Sequence, residues 1–410
     1  MTLLVLAVFV LVYAGMALGR FPGLQVDRTG IALLGAIALL LGGAVDSAGV
    51  VRAIDFPTLF ILLGLMLLSA QFALAGFYDW CALRIARAAR GPEALLGLTV
   101  LVAGVLSAVL ANDVVVFAMT PMLCAGLKGR GLDPRPYLIA LAGAANAGSA
   151  ATLIGNPQNI LIGQLGDLGF WPFLAACGVP AAAALGIVFL TVRHVWRGRL
   201  VLAEGPSPMP DAPPPDRWQM AKALAGTAAL LALFATPLPQ ETGVLAVAGA
   251  MLVSRRLASR RMLALVDWPL LLLFGALFTV THALAQTGLP GALVDALAAA
   301  GLDLGSLAFL APFSLLASNS IGNVPAVVLL MQVWPGPQEG ALYALALLST
   351  LSGNLLLLGS LANIITAERA AASGVTLSFA DHARCGVPMT LASLAVAALW
   401  LLATGCVGLV

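Results

Sequence analysis

Charged residues are scarce in this sequence. Asp, Glu, Lys and Arg together make up 9% of its 410 residues, whereas about a quarter of a soluble globular protein is charged. With 61% hydrophobic residues and a mean hydropathy of +1.03, the chain has too few polar side chains to cover a surface that faces water. A soluble fold, a disordered chain and a nucleic-acid-binding protein are therefore excluded, and the sequence requires lipid as its solvent.

Patterns typical of metal sites, disulfides and catalytic centres are also missing. The five cysteines have no metal-ligand spacing, and four of them lie in or beside apolar stretches, so we interpret them as free packing thiols. A nucleotide-binding loop and a nucleophile paired with a base are absent from the sequence. We therefore predict that the protein is not an enzyme and is not an ATP-driven pump.

Ten apolar segments have lengths near those of membrane crossings. They are residues 2–18, 30–46, 57–76, 137–165, 170–192, 219–236, 241–254, 267–286, 341–367 and 387–408. Two more apolar segments, 94–126 and 304–334, are interrupted in the middle by Asn and by Asp or Ser. Because an interruption at mid-depth must be buried in protein or must line water, we predict that both segments are re-entrant hairpins.

The basic residues predict the orientation in the membrane. If the N-terminus lies outside, 19 of the 20 Lys and Arg residues fall in cytoplasmic connections, and only Arg52 falls outside. The run from 2 to 18 lacks the positive start of a signal peptide and is expected to be a retained helix. Arg84, Arg87 and Arg90 with Trp80 predict an interfacial helix. The chain is thus predicted to be a multi-pass protein of the plasma (inner) membrane with both termini outside.

The two halves of the chain resemble each other in order and spacing. Asp55-Phe56-Pro57 recurs as Asp267-Trp268-Pro269, and residues 140–160 align without gaps on residues 344–364. Each half holds one hairpin and five crossings. Because the number of crossings is odd, the second half must be inserted upside down. We predict an all-α polytopic fold with an inverted-topology repeat, the architecture of secondary transporters. The predicted units are a first repeat, a cytoplasmic Pro-rich linker and a second repeat, at residues 1–192, 193–218 and 219–410.

Four polar breaks interrupt the apolar segments. They lie at residues 112–113, 155–159, 318–323 and 353–363, and each places Asn beside Gly, Pro, Ser or Asp. Broken helices free backbone carbonyls and helix ends that can hold ions, and polar groups at membrane depth are expensive, which favours a functional interpretation. The alternative is that these Asn and Ser side chains only bond helices to each other.

The motifs at these breaks resemble those of the ion transporter superfamily. Within it, the chain is most similar to the permeases grouped with the divalent anion:sodium symporters and the arsenite efflux permeases. The residues that carry the resemblance are Ala111-Asn112-Asp113, Thr120-Pro121, Gly155-Asn156-Pro157-Gln158-Asn159, Ser318-Asn319-Ser320, Asn323-Val324-Pro325 and Gly359-Ser360-Leu361-Ala362-Asn363. The resemblance covers nearly the whole chain, and it implies a homodimer that works by an elevator motion.

Two paired sites are implied by the resemblance, one at each hairpin tip. The implied substrate-binding residues are Asn112, Asn156, Asn159, Ser318, Asn319, Asn323, Ser360 and Asn363. The implied residues for the coupling ion are Asn112, Asp113, Gly155, Asn319, Ser320 and Gly359. Sodium ions are the only candidate cofactor. The Asn-Asp tip is more similar to arsenite permeases and sodium/proton antiporters, so the substrate and the coupling ion stay open.

Asp113 is the one acidic residue that the sequence places clearly at mid-depth, and no Lys or Arg lies in the four breaks. It is a candidate proton carrier or sodium ligand; the alternative is a protonated Asp bonded to the hairpin backbone. Glu368 and Arg369 follow the last break and are interpreted as a local ion pair.

The sequence therefore predicts a secondary active transporter for a small anion or oxyanion, coupled to sodium or protons. Its predicted partners are this substrate, the bilayer and a second copy of the chain. Arsenite or antimonite efflux in exchange for protons, and sodium/proton antiport, are the alternatives.

Overall fold

The computed structural model describes residues 1–18, 25–88, 91–200, 211 and 213–409. These residues form twenty α-helices and one short 3₁₀ turn, and they contain no strand. Among them, five helices are long and apolar enough to cross a membrane, namely Phe56–Leu74, Pro92–Val109, Phe170–Val195, Trp268–Ala285 and Phe379–Ala403. The predicted all-α, multi-pass fold class is confirmed.

The helices form two series of ten that correspond in order. The first series is α1 (Thr2–Leu18), α2 (Arg28–Leu41), α3 (Ser47–Ala53), α4 (Phe56–Leu74), α5 (Phe77–Arg87), α6 (Pro92–Val109), α7 (Asn112–Lys128), α8 (Pro134–Ser149), α9 (Pro157–Leu165) and α10 (Phe170–Val195). The second series is α11 (Arg217–Leu233), α12 (Gln240–Leu252), α13 (Ser259–Leu263), α14 (Trp268–Ala285), α15 (Leu289–Ala299), α16 (Leu307–Ser320), α17 (Asn323–Val333), α18 (Glu339–Ser352), α19 (Leu361–Ala372) and α20 (Phe379–Ala403). The 3₁₀ turn, Leu357–Gly359, lies between α18 and α19.

Helix starts are encoded in the same way in both series. The carboxylate of Asp55 accepts a hydrogen bond from the backbone N–H of Thr58 at the start of α4, and Asp267 accepts one from Leu270 at the start of α14. A proline follows in the first turn of each helix, where its missing N–H costs nothing. The repeated Asp-aromatic-Pro sequence is therefore a helix-start signal in each half.

Contacts between the two series are reciprocal. Helix α2 packs on α14 while α12 packs on α4, and α7 packs on α19 while α17 packs on α9. Such exchanged pairs are what a twofold axis between two similar units produces.

The corresponding helices α10 and α20 pack against each other in opposite directions. The indole N–H of Trp400, near the end of α20, donates to the carbonyl of Ala176, near the start of α10, at 2.8 Å. At the other end, the Arg135 guanidinium lies 5.1 Å from the ring of Trp196, which follows α10, and 3.9 Å from the carboxylate of Asp381 in the first turn of α20. Antiparallel equivalents need an axis perpendicular to the helices. This arrangement supports the predicted inverted insertion, although the sidedness and the repeat boundaries stay predictions.

The centre of the core is formed by α8 and α18. Every residue from Pro136 to Ser149 is buried in α8, and every residue from Ala341 to Ser352 is buried in α18. The two helices end at the second and fourth polar breaks. The fold therefore places both breaks in the protein interior.

The predicted interruptions lie where helices end. Segment 94–126 consists of α6 and α7 with a break at residues 110–111, and segment 304–334 consists of α16 and α17 with a break at residues 321–322. Their re-entrant position in a bilayer stays a prediction.

Several predicted segment bounds differ from those of the helices, and helices α3, α13 and α15 were not predicted. The last crossing, predicted from 387, begins at Phe379, because Ser378 and Asp381 form a reciprocal capping box. Helix α10 continues to Val195, past the predicted start of the linker. Helix α15, which corresponds to the predicted interfacial helix α5, was not recognised. Arg20, Arg90 and residues 201–210 and 212 of the Pro-rich linker lie outside the described residues.

The predicted topology can be tested by labelling single cysteines. All five native cysteines are free, and four of them are buried, so they can be replaced without breaking a disulfide to give a cysteine-free protein. Cysteines replacing the exposed residues Arg199 and Arg256 should react only from the cytoplasmic side, and those replacing Asp167 and Asp303 only from outside. Reaction of positions 199 and 303 from one side would contradict the inverted repeat.

Candidate functional site

The break between α8 and α9 is organised by two asparagines. Asn156 caps α9, and its side-chain oxygen accepts a hydrogen bond from the backbone N–H of Asn159 at 2.9 Å. The Asn159 amide donates to the carbonyls of Ser149 (3.2 Å) and Thr152 (3.0 Å). Carbonyls at the end of α8, which lack helical partners, are thereby satisfied without water.

The break between α18 and α19 repeats this arrangement. Ser360 caps α19 and accepts a hydrogen bond from the backbone N–H of Ala362 at 3.2 Å. The Asn363 amide donates to the carbonyls of Gly353 (2.8 Å) and Leu356 (3.1 Å). Gly353 and Leu356 each lie 204 residues after their counterparts in the first break, Ser149 and Thr152. The gapless alignment of residues 140–160 on 344–364 therefore corresponds to shared hydrogen-bond geometry.

Asn146, near the end of α8, connects the first repeat to the second. Its side-chain oxygen accepts hydrogen bonds from Ser360 Oγ at 2.9 Å and from Asn112 Nδ2 at 3.2 Å. Its amide donates to the side-chain oxygens of Asn354 at 2.8 Å and Asn363 at 3.2 Å. The residue is 1% exposed and uses both its acceptor and its donor capacity.

Thr350 occupies the corresponding position in α18 and makes the reciprocal connection. Its hydroxyl accepts hydrogen bonds from the side-chain amides of Asn156 at 3.2 Å and Gln158 at 3.1 Å. It donates to the side-chain oxygen of Asn159 at 3.3 Å. The central helix of each repeat thus bonds the cap region of the other repeat's broken helix, and we call these bonds around Asn146 and Thr350 the cross-repeat network.

Each hairpin tip approaches a glycine in the break of its own repeat. The backbone N–H of Asn112 donates to the carbonyl of Gly155 at 3.1 Å. At the second tip, the side-chain oxygen of Asn319 accepts from the backbone N–H of Leu356 at 3.2 Å. A Cβ atom on Gly359 would lie 2.3 Å from that oxygen. Glycine is therefore needed for the close approach of the second tip.

A cavity of about 560 Å³ lies beside the first tip. The tip contributes Asp113 and Phe117, the start of α9 contributes Asn156, and α4 contributes much of the apolar wall. Its charged lining residues are Asp79, Asp113, Asp267 and Arg369. The volume lies in the range of small-molecule sites, and the lining combines apolar walls with a few convergent polar groups.

The predicted site residues are only partly brought together. Asp113 and Asn156 line the cavity. Asn112, Asn159 and Asn363 instead belong to the cross-repeat network, and their role in binding substrate stays a prediction. The side-chain amides of Asn159 and Asn363 each donate two hydrogen bonds to protein acceptors, and that of Asn112 donates one.

The second tip lies apart from the network. The hydroxyl of Ser318 donates to the carbonyl of Ser349 at 3.3 Å, and that of Ser320 donates to the carbonyl of Leu316 at 2.7 Å. The side-chain oxygen of Asn323 accepts from the backbone N–H of Val324 at 3.0 Å. Ser320 is exposed.

Sequence reasoning missed three residues of this region. Asn146 and Thr350 occupy equivalent positions in the gapless alignment, and that paired polarity within two apolar helices was the available signal. Arg369 was assigned to an ion pair with Glu368, and this is wrong. The ion pairs found among the described residues do not include it. Its guanidinium lies 4.1 Å from the ring centre of Phe117.

A polytopic helical bundle whose broken helices meet beside an internal cavity defines the class of this protein, a membrane transporter. The family described as citrate transporter matches residues 6–347, and the chain belongs to this family, which is part of the ion transporter superfamily. The predicted superfamily is confirmed.

Relatives and a solved structure agree with this class. An uncharacterised transporter of Mycobacterium tuberculosis is 30% identical over 430 residues, which cover 98% of each chain. A silicon efflux transporter of Oryza sativa is 27% identical over 450 residues, which cover 92% of each chain. The fold is similar to that of the YdaH transporter of Alcanivorax borkumensis, with a TM-score of 0.58 at 15% identity and 98% coverage of both chains.

Asn146→Ala should lower the thermal stability of the purified protein and abolish transport. The substitution leaves several buried partners unsatisfied, at a cost of about 1–3 kcal/mol for each lost group. Ser107→Ala is the matched control, because the Ser107 hydroxyl on the neighbouring helix α6 is buried and has no hydrogen-bond partner among the described residues. Equal melting temperatures for the two variants would contradict the importance of the network.

Proposed function

We propose that the protein is a secondary active transporter that moves a small anion or oxyanion and couples its movement to sodium or protons. The observation that carries the proposal is the position of the cavity, which is lined by the starts of α7 and α9. Helix N-termini carry partial positive charge, so two of them beside one cavity favour a negatively charged ligand.

Family membership supports an anionic substrate, since the family is described by citrate. The rice relative is named for silicon efflux, which favours a second candidate, the export of an oxyacid such as arsenite or antimonite in exchange for protons. Sodium/proton antiport is a third candidate that would need only Asp113 and nearby oxygens.

The coupling ion is proposed to bind at Asp113. This carboxylate lies in the first turn of α7 and lines the cavity together with a second carboxylate, Asp267. Two carboxylates in the lining of one cavity favour the binding of a cation or a proton there. The two carboxylates would attract sodium or protons, and they would repel a substrate anion unless such a cation is bound with it.

The transport cycle is proposed to be an elevator motion within a homodimer of the plasma membrane. The cavity lies at the first tip, whereas at the second tip Asn319 packs directly against Gly359. Two related sites with different packing are what alternating access between two sides requires. With the predicted topology, the cavity belongs to the cytoplasmic side.

The direct test is uptake into proteoliposomes with imposed sodium and proton gradients. Citrate, succinate, phosphate, arsenite and silicic acid form the substrate panel. We expect accumulation of at least one anion that depends on one of the two gradients. Transport that is unaffected by both gradients would indicate a passive channel, and movement of sodium and protons alone would indicate an antiporter.

Asp113→Asn should uncouple transport. The amide keeps the shape of the side chain but can neither take up a proton nor neutralise a cation, so substrate exchange should persist while accumulation against a gradient is lost. Asp79→Asn, which alters another carboxylate of the same cavity, should keep gradient-driven accumulation. Unchanged dependence on pH and sodium in Asp113→Asn would show that this carboxylate is structural.

A further inference from the structure

Arg369 is the one basic residue among the described residues that line the cavity. It lies in the last turn of α19, the helix that begins at the fourth break, while Phe117 lies one turn after Asp113 on α7. Helices α7 and α19 pack against each other. The guanidinium and the proposed coupling carboxylate thus belong to two adjoining elements around one cavity.

The charge of Arg369 is not neutralised by the described part of the protein. The Nε atom is buried and has no hydrogen-bond partner, and the residue belongs to none of the ion pairs found there. Its contact with the Phe117 ring, at 4.1 Å, positions the guanidinium without satisfying its N–H donors. Arg369 is half-buried, and a guanidinium with unpaired donors beside a cavity can bind an anionic ligand there.

Stabilisation of the helix end does not account for this arginine. A basic residue in the last turn can bond the terminal carbonyls of its helix. Here Lys128 Nζ donates to the carbonyls of Ser373 at 3.0 Å and Gly374 at 3.1 Å, immediately after α19. The guanidinium of Arg369 is thus left for another acceptor.

The arginine also distinguishes the two related sites. Position 369 corresponds to Leu165 in the first repeat, at the same offset of 204 residues. Leu165 is 41% exposed and cannot bind an anion. A single guanidinium therefore serves the cavity at the first tip, and the approximate symmetry of the breaks does not extend to the charge.

We propose that Arg369 binds the anionic group of the transported substrate, and that it selects carboxylates or oxyanions with a full negative charge over uncharged oxyacids. This inference rests on the proposed function and specifies its substrate class. A planar guanidinium presents paired donors that match a carboxylate or phosphate. With a cation at Asp113 and the anion at Arg369, the cavity would hold an ion pair.

The test compares Arg369→Gln with Arg369→Lys and with Glu368→Gln. Binding of citrate and of phosphate is measured by calorimetry on the purified protein, and melting temperature without ligand reports the fold. Arg369→Gln should weaken the binding of the anion by roughly 10- to 100-fold. Arg369→Lys keeps the charge but not the fork of donors, so it should lose less. Glu368 is exposed, and its substitution should leave binding unchanged.

The outcomes separate this inference from the proposed function. If the wild-type protein binds neither citrate nor phosphate, the inference is overturned, and the uptake panel decides the proposed function separately. Equal binding by wild type and Arg369→Gln would overturn the role of Arg369 alone, as would an equal loss in Glu368→Gln. If Arg369→Gln does not fold, unchanged binding in a folded Arg369→Lys would count against the inference.

Discussion

The structure depends on one constraint. The polar backbone groups at the ends of the broken helices must form hydrogen bonds with other protein groups, because little water reaches the interior of a membrane protein. Four helix ends meet where α8 gives way to α9 and α18 to α19, and each exposes polar backbone groups that an apolar environment penalises. Asn159 and Asn363 satisfy the carbonyls within each break, while Asn146 and Thr350 bond the opposite break. The polar centre therefore holds the two repeats together and fixes the starts of the half-helices beside the cavity.

The network is approximately symmetric, but the surroundings of the two hairpin tips differ. The first tip borders a cavity that carries Asp113 and Arg369, and the second tip is closed by contact between Asn319 and Gly359. The symmetric network provides a stable scaffold. The arginine at the first tip alone would give that site a preference for a negatively charged substrate. Because polar groups are costly in a membrane interior, the few that line the cavity are the groups through which substrate and coupling ion would be distinguished.

Much of the framework could be predicted from the sequence, because apolar length, charge bias and helix-breaking residues are local signals. The four breaks were located, and the gapless match of residues 140–160 on 344–364 anticipated the shared geometry of Asn159 and Asn363. The partners of Asn146 could not be predicted, since they come from segments up to 217 residues away. Arg369 was misassigned for the same reason: its neighbour in sequence is Glu368, but its neighbour in space is Phe117.

The central claim is that the two broken helices form one polar unit, and a double-mutant cycle on Asn146 and Asn363 tests it most directly. These side chains lie 3.2 Å apart, on different repeats. The free energy of unfolding would be measured for wild type, Asn146→Ala, Asn363→Ala and the double variant in mixed micelles. A shared unit predicts an interaction energy of about 0.5–3 kcal/mol, whereas additivity within about 0.5 kcal/mol would contradict it.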